Sequence, residues 1–290
     1  MAFKIAIASG KGGTGKTTVS VNLYHKLNQV SGHKAQLIDC DVEEPNDLLL
    51  FQHAKKESAK KVQQFVPKID LQLCSFCKLC VDYCEFNAIS IIPTVKHAEI
   101  TASLCHSCGA CLIACTGKAI YETPQEIGQV NTYQVGYGNG ITEGRLKIGS
   151  ALQTTVIKTT KKEVKTNSTA VLFDAPPGTS CSVVETVADA DYVILVTEPT
   201  PFGLHDMKLM TQLLDELAKP FGIIINKEGL GNKETQKFIE KSQFELLGKI
   251  PFSQKYASNY ATGLLTVNIP DEIDHIYKKI VDTLLKKIGK

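Results

Sequence analysis

Six short, mostly apolar runs recur along this chain: FKIAIAS at residues 3–9, then 35–40, 169–174, 192–197, 221–226 and 245–250. Runs of this length without strict alternation are what strands buried on both faces of a parallel sheet require. Helical patterns separate them, most clearly Thr14–Gln29 and Gly203–Lys219. Strand and helix alternating at these lengths predict an α/β fold with a doubly wound, mostly parallel sheet. Such sheets bind ligands beyond the carboxyl ends of their strands. The tail from Asp271 to Lys290 carries Ile273, Ile276, Ile280, Leu284 and Ile288 at helical spacing, and acidic residues open it. That stripe predicts a last helix packed on the sheet rather than one lying on a membrane. Residues 42–65 and 123–168 read as connecting segments. Within the second, the alternating stretch LQTTVIKTT (152–160) is expected to extend the sheet or its rim as a strand.

Cysteines add a second pattern. Eight of the ten form two identical combs, Cys74, Cys77, Cys80, Cys84 and Cys105, Cys108, Cys111, Cys115, each tooth 31 positions from its twin. A C-x2-C-x2-C-x3-C run is ligand spacing for iron–sulfur clusters. Zinc sites use two separated C-x2-C pairs, and disulfide frameworks belong to short secreted chains. The repeat therefore predicts a pseudo-twofold module holding two [4Fe-4S] clusters. Residues 66–122 resemble the bacterial two-cluster ferredoxins, in which the fourth cysteine of each comb reaches the other cluster. The resemblance implies Cys74, Cys77, Cys80 and Cys115 as one ligand set, and Cys105, Cys108, Cys111 and Cys84 as the other. Glu85 and Thr116 stand where those ferredoxins usually carry proline, which alters the turn and the local charge but leaves the thiolates in place. His106 reads as a neighbour of the second comb rather than a ligand. Cys40 and Cys181 belong to neither comb and read as small buried apolar residues rather than redox partners.

The first apolar run leads directly into GKGGTGKTT, Gly10 to Thr18. Gly10, Gly15, Lys16 and Thr17 satisfy G-x4-G-K-[ST], with a strand before and a helix after. Backbone amides from Gly12 through Gly13, Thr14 and Gly15 to Lys16 are expected to cradle the phosphates of ATP at a helix N-terminus, with Thr18 completing the motif. Lys16 would neutralise the β and γ oxygens and Thr17 would bind Mg2+.

Lys11 places an extra cation in the loop. The resulting GK-x4-GKT resembles the deviant Walker motif of the nitrogenase iron protein, MinD and the chromosome-partitioning ATPases. The resemblance implies an ATPase in which Lys11 crosses a dimer interface to the partner's nucleotide, stabilising charge on the γ oxygens. Three further segments match the same family. QLIDCDVEEPN, with Asp39 and Asp41, resembles its first switch and implies Asp41 as the base that activates the attacking water. AVLFDAPPG resembles D-x-P-P-G, implying that Asp174 holds magnesium through water and that Gly178 frees the second switch. GIIINK ends on Asn226, which the resemblance implies reads the adenine edge.

Composition narrows the remaining classes. At 290 residues and 43% hydrophobic content the chain can bury a core large enough for two domains. Lys and Arg total 32 against 30 acids, and Arg145 is the only arginine. Bidentate readers of bases and phosphates favour arginine, so no nucleic-acid surface is expected. No secretory signal or bilayer-spanning run is visible, and thiolates kept for clusters need a reducing compartment, so the cytoplasm is expected.

The expected organisation is a P-loop ATPase domain in two parts, 1–65 and 123–290, interrupted at 66–122 by a ferredoxin domain between the two switches. Over nearly its full length the chain resembles a MinD-type P-loop ATPase with such an insertion. That implies a homodimer, or a heterodimer with a similar ATPase, coupling nucleotide state to electron transfer toward a redox partner protein. Two alternatives stay open: an iron–sulfur cluster carrier or assembly ATPase, and a positioning ATPase that senses redox state.

Overall fold

The computed structural model describes residues 2–30 and 32–289, and each of the six apolar runs lies on a strand. Phe3–Ala8 forms β1 and Lys16–Leu27 forms α1, joined by the glycine-rich loop. The chain continues through β2 (Ala35–Asp39), β3 (Lys55–Ile69), α2 (Leu79–Asp82), β4 (Ile89–Ile92), β5 (His97–Ile100), α3 (Ala110–Ala114), β6 (Ile120–Gln134), β7 (Ile141–Leu146) and α4 (Gln153–Lys161). It ends with β8 (Ala170–Asp174), α5 (Cys181–Val187), β9 (Tyr192–Thr197), α6 (Pro201–Glu216), β10 (Phe221–Glu228), α7 (Glu234–Lys241), β11 (Leu246–Pro251), α8 (Gln254–Ala261) and α9 (Asp271–Ile288). Two compact units result. One comprises Met1–Ala59, Val130–Arg145 and Ile157–Lys290, the other Lys60–Gln129 and Leu146–Val156.

The sheet runs β11-β10-β9-β1-β8-β2-β7-β6-β3, and every pair from β11 to β7 is parallel. Strands β2, β8 and β9 are buried along their whole length, as a sheet covered on both faces requires. Register puts Asp39 beside Asp174 and Asp174 beside Ile7, so the carboxyl ends of β2, β8 and β1 lie level. Sequence-distant loops therefore open at one edge.

In this first unit a single core cluster joins Ile5, Leu37, Leu172, Ile194 and Ile224 of the sheet to Leu23 and Leu27 of α1 and to Ile273, Tyr277, Ile280 and Leu284 of α9. Burying one such aliphatic side chain is worth about 1.5–3 kcal/mol. The tail helix is thus a packed element, and an ion pair between Lys26 and Asp274 ties it to α1. Among the described residues no helix is long and apolar enough to cross a membrane.

One expectation about the elements is overturned: LQTTVIKTT is not a strand, and all of it after Leu152 lies on α4. Its buried positions, Leu152, Val156, Ile157 and Thr160, fall at helical rather than alternating spacing. Threonine and valine favour strands by their stiff χ1, but that preference is weak and the burial period overrides it. The segment before it does hold strands, β6 and β7.

The second unit is built on the cysteine repeat. β4 and β5 pair antiparallel, Ile89 opposite Ile100 and Ile92 opposite His97. Left-handed backbone recurs in step with the repeat: Phe76 and Ser107 at φ 57° and 52°, Lys78 and Gly109 at 66° and 78°, Asn87 and Lys118 at 50° and 51°. Five of these six are not glycine, and left-handed residues cost roughly 1–2 kcal/mol each, so the two loops share one demanding fold.

Candidate nucleotide site and cysteine cavities

Gly13 and Gly15 take φ of 77° and 93°, the left-handed region where a side chain is strained. At Gly15 a Cβ would also lie 2.2 Å from the Asn226 amide nitrogen. That amide donates to the Thr14 carbonyl at 2.7 Å, and Lys227 Nζ donates to the Gly13 carbonyl at 2.7 Å. The end of β10 therefore supports the loop from behind. Lys11 is ion-paired within its own chain, to Glu198 at 2.6 Å, and Lys227 meets the same carboxylate at 3.1 Å. Burial would raise the Glu198 carboxyl, but the two lysines outweigh it and hold it below the ordinary glutamate value.

Asp174 sits at the floor of the site. Its carboxylate accepts from Thr17 Oγ1 and from Ser20 Oγ, each at 2.8 Å, and it is 2% exposed. Burial raises its pKa and Lys16 pulls it back. Asp39 accepts the backbone N–H groups of Asp41 at 3.0 Å and Asp47 at 3.1 Å. Asp41 is pushed up to about 6, mainly by burial, with Lys16 opposing. Gly178, at φ 93°, donates its N–H to the Ser9 carbonyl at 3.0 Å and so closes the loop after β8 onto the phosphate loop.

Part of this set borders a cavity of about 420 Å3, within the range of small-molecule sites, whereas Gly10, Lys11, Thr14, Asp174 and Gly178 are not among its lining residues. Gly12, Gly13, Gly15, Lys16, Thr17, Thr18, Asp41 and Asn226 all line it. Its far wall is Pro251, Phe252, Tyr256 and Tyr260, none of which the sequence singled out. The i, i+4 pair of tyrosines on α8 was the available signal. Glu198 and Asp47 were also missed.

Asp47 is fully buried, and its carboxylate lies within 4.8 Å of those of Asp39 and Asp174. Burial first, then Asp39, pushes its pKa well above the ordinary value near 3.8. The folded state thus holds a proton the unfolded chain would release. This contribution to stability is present below that ordinary value and is lost as pH rises through the folded one. Asp47→Asn should raise the unfolding midpoint at pH 7.5 and flatten the decline of stability from pH 5 to 8. The effect expected is about 1–2 kcal/mol, the scale of one poorly satisfied buried polar group. Urea unfolding at several pH values tests it, and an unchanged pH slope would refute it.

In the second unit the eight comb cysteines divide around two cavities. Cys84, Cys105, Cys108 and Cys111 line one, and Cys74, Cys77, Cys80 and Cys115 line the other. Backbone N–H groups approach the sulfurs in matched pairs: Phe76 to Cys74 and Ser107 to Cys105 at 3.4 Å, Ala88 to Cys84 at 3.4 Å and Ala119 to Cys115 at 3.2 Å. None of the ten cysteines is in a disulfide. Cys40 is fully buried, but Cys181 is exposed at the start of α5 rather than buried as expected.

A parallel α/β sheet whose first strand opens into a glycine-rich loop, with a serine, a threonine and an aspartate gathered beneath it, defines a P-loop nucleotide-binding protein. The chain belongs to the CobQ/CobB/MinD/ParA nucleotide-binding-domain family, whose model matches residues 5–267. It is 30% identical to the uncharacterized protein MJ0579 of Methanocaldococcus jannaschii, over 89% of each chain. It is 25% identical to an iron-sulfur cluster carrier protein of Methanococcus maripaludis, over 99% of this chain and 86% of that one. Among solved structures, the septum site-determining protein MinD of Pyrococcus horikoshii, complexed with Mg-ADP, superposes with a TM-score of 0.59 at 20% identity. The match covers 100% of this chain and 98% of that one, a likeness of fold.

Proposed function

We propose that this protein is a dimer-forming ATPase, with an inserted two-cluster ferredoxin domain spanning 66–122, that couples its nucleotide state to electron transfer through two [4Fe-4S] clusters toward a redox partner. The observation that carries the iron–sulfur half is the crossed division of eight unbridged cysteines into two cavities of four. Matched N–H groups aimed at the sulfurs fit that reading, because such bonds stabilise thiolate charge. Bound there, the clusters would supply one-electron chemistry.

At the nucleotide cavity, Lys16 would neutralise the β and γ oxygens, and Thr17, oriented by Asp174, would hold Mg2+. Asp41 with a pKa of about 6 is largely ionised at pH 7 yet basic enough to accept a proton from the attacking water. Lys11 would exchange Glu198 for the nucleotide of a second protomer, so association has to break an ion pair within the chain. Asn226, whose amide nitrogen braces Thr14, would meet the adenine edge with its remaining polar groups.

The chain passes from Asp41 into the cysteine unit and returns from it ahead of Asp174, which supports coupling through the two switches. Anaerobic protein should contain about eight irons and eight sulfides per chain, and reduced protein should deliver electrons to an acceptor at a rate that differs among ATP, ADP and no nucleotide. Equal rates in all three conditions would refute the coupling. The cluster-carrier reading is favoured by similarity, near 25% identity, to iron-sulfur cluster carrier proteins. It requires cluster movement, so iron appearing in an apo-acceptor protein, rather than electrons alone, would decide for it.

A further inference from the structure

The geometry points to two electronically unequal centres, the one held by Cys74, Cys77, Cys80 and Cys115 accepting the first electron and the one held by Cys84, Cys105, Cys108 and Cys111 being screened and harder to reduce. This inference rests on the two-cluster reading above.

The ligand sets and their sulfur contacts are alike. Each has four thiols, its two N–H···S bonds match those of its twin, and the isoleucines at the back correspond across the 31-residue repeat, Ile89 with Ile120 and Ile100 with Ile69. Hydrogen bonding to sulfur, one of the main determinants of cluster potential, therefore cancels between them.

What differs is the rim. Tyr83, Phe86 and His106 line the first cavity, and their counterparts 31 positions away are Ala114, Gly117 and Ser75, which line the second. All three rings are on one side, while the other lining is richer in aliphatic side chains, with Leu73, Leu79 and Ile91 where the first has only Ala110 as the counterpart of Leu79. Phe86 and His106 stack with centroids 3.9 Å apart and planes 14° from parallel, forming a cover rather than two independent side chains. Reduction adds one negative charge to a centre. Keeping water from that charge disfavours it, as desolvation does for any ion, and an apolar shell lowers the local dielectric.

Neighbouring charges mostly act in the same direction. Glu85 follows Cys84 where the other repeat has Thr116, and Lys78 stands where the other has Gly109. Asp82, within electrostatic reach of Cys77, acts against them. One acid near the open centre is offset by Lys78, leaving the aromatic screen as the decisive difference.

The test is an EPR-monitored titration of the whole protein with dithionite as one-electron donor, alongside iron and sulfide analysis. Two steps are expected, separated by a tenfold or greater difference in reduction equilibrium, about 59 mV for a one-electron couple. The first should be missing in Cys115→Ala. Replacing the screen with its counterparts, Phe86→Gly with His106→Ser, should bring the steps together. The reciprocal pair, Gly117→Phe with Ser75→His, should make the open centre harder to reduce. Gly117 suits this change, since a Cβ there meets only the Leu73 carbonyl oxygen at 3.6 Å, an ordinary contact. About eight irons with a single step, or two steps that neither exchange moves, would overturn the inference and leave the two-cluster reading standing. Iron well short of two clusters would overturn both.

Discussion

Asp41→Asn should lower ATP turnover by about 10^2–10^4-fold, the usual contribution of a positioned general base, while leaving nucleotide affinity nearly unchanged. The amide keeps the shape of the side chain but cannot accept a proton. In the parent protein the rate should rise with pH through about 6 and level off above it, because the carboxylate is the active form. The variant should lose that inflection along with its rate. Steady-state hydrolysis between pH 5 and 8, with nucleotide binding measured in parallel, checks both. A variant that keeps the inflection would assign the base elsewhere, and one that loses binding would make Asp41 a phosphate-site residue instead. The distinction is sharp because Asp41 lines the cavity whereas Asp39, two residues earlier, has its carboxylate occupied by backbone N–H groups.

Removing Cys115 should halve the iron content, from about eight to about four atoms per chain, and the decisive experiment adds a second substitution. If Cys115 shares a cavity with Cys74, as the lining residues indicate, Cys115→Ala with Cys74→Ala strikes one centre twice and still retains about four irons. If each comb instead served its own centre, the same pair would strike both and leave almost none. Cys115→Ala with Cys105→Ala gives the mirror result, near zero for crossed sets. Iron analysis of the three variants, prepared anaerobically, separates the alternatives without any activity measurement. An iron-free Cys74 and Cys115 double variant beside a half-loaded single variant would sink the crossed arrangement.

Much of the nucleotide cavity was legible because its residues lie at the ends of apolar runs and in one contiguous loop. Gly13, Lys16, Thr17, Asp41 and Asn226 all line it. The residues that escaped notice share a different character. Asp47 and Glu198 matter through Asp174 and Lys11, far away in the chain, and the only local signal for Tyr256 and Tyr260 is their i, i+4 spacing on α8. LQTTVIKTT misled for a related reason. Its threonines and valine carry a local strand preference, whereas its conformation follows which side chains are buried, and burial is not a local property.

By itself the sequence determined the phosphate loop, the strand runs and the two cysteine combs, because each depends on residue type at short spacing: glycine where φ is positive, continuous apolar character where both faces are covered, thiols at fixed intervals. Only the tertiary structure decided which rim carries the aromatic rings and that the buried Asp39, Asp47 and Asp174 meet. Those outcomes depend on strand register and on exclusion of solvent. For the aspartates both are fixed only when segments more than a hundred residues apart, Asp39 and Asp174, are brought side by side.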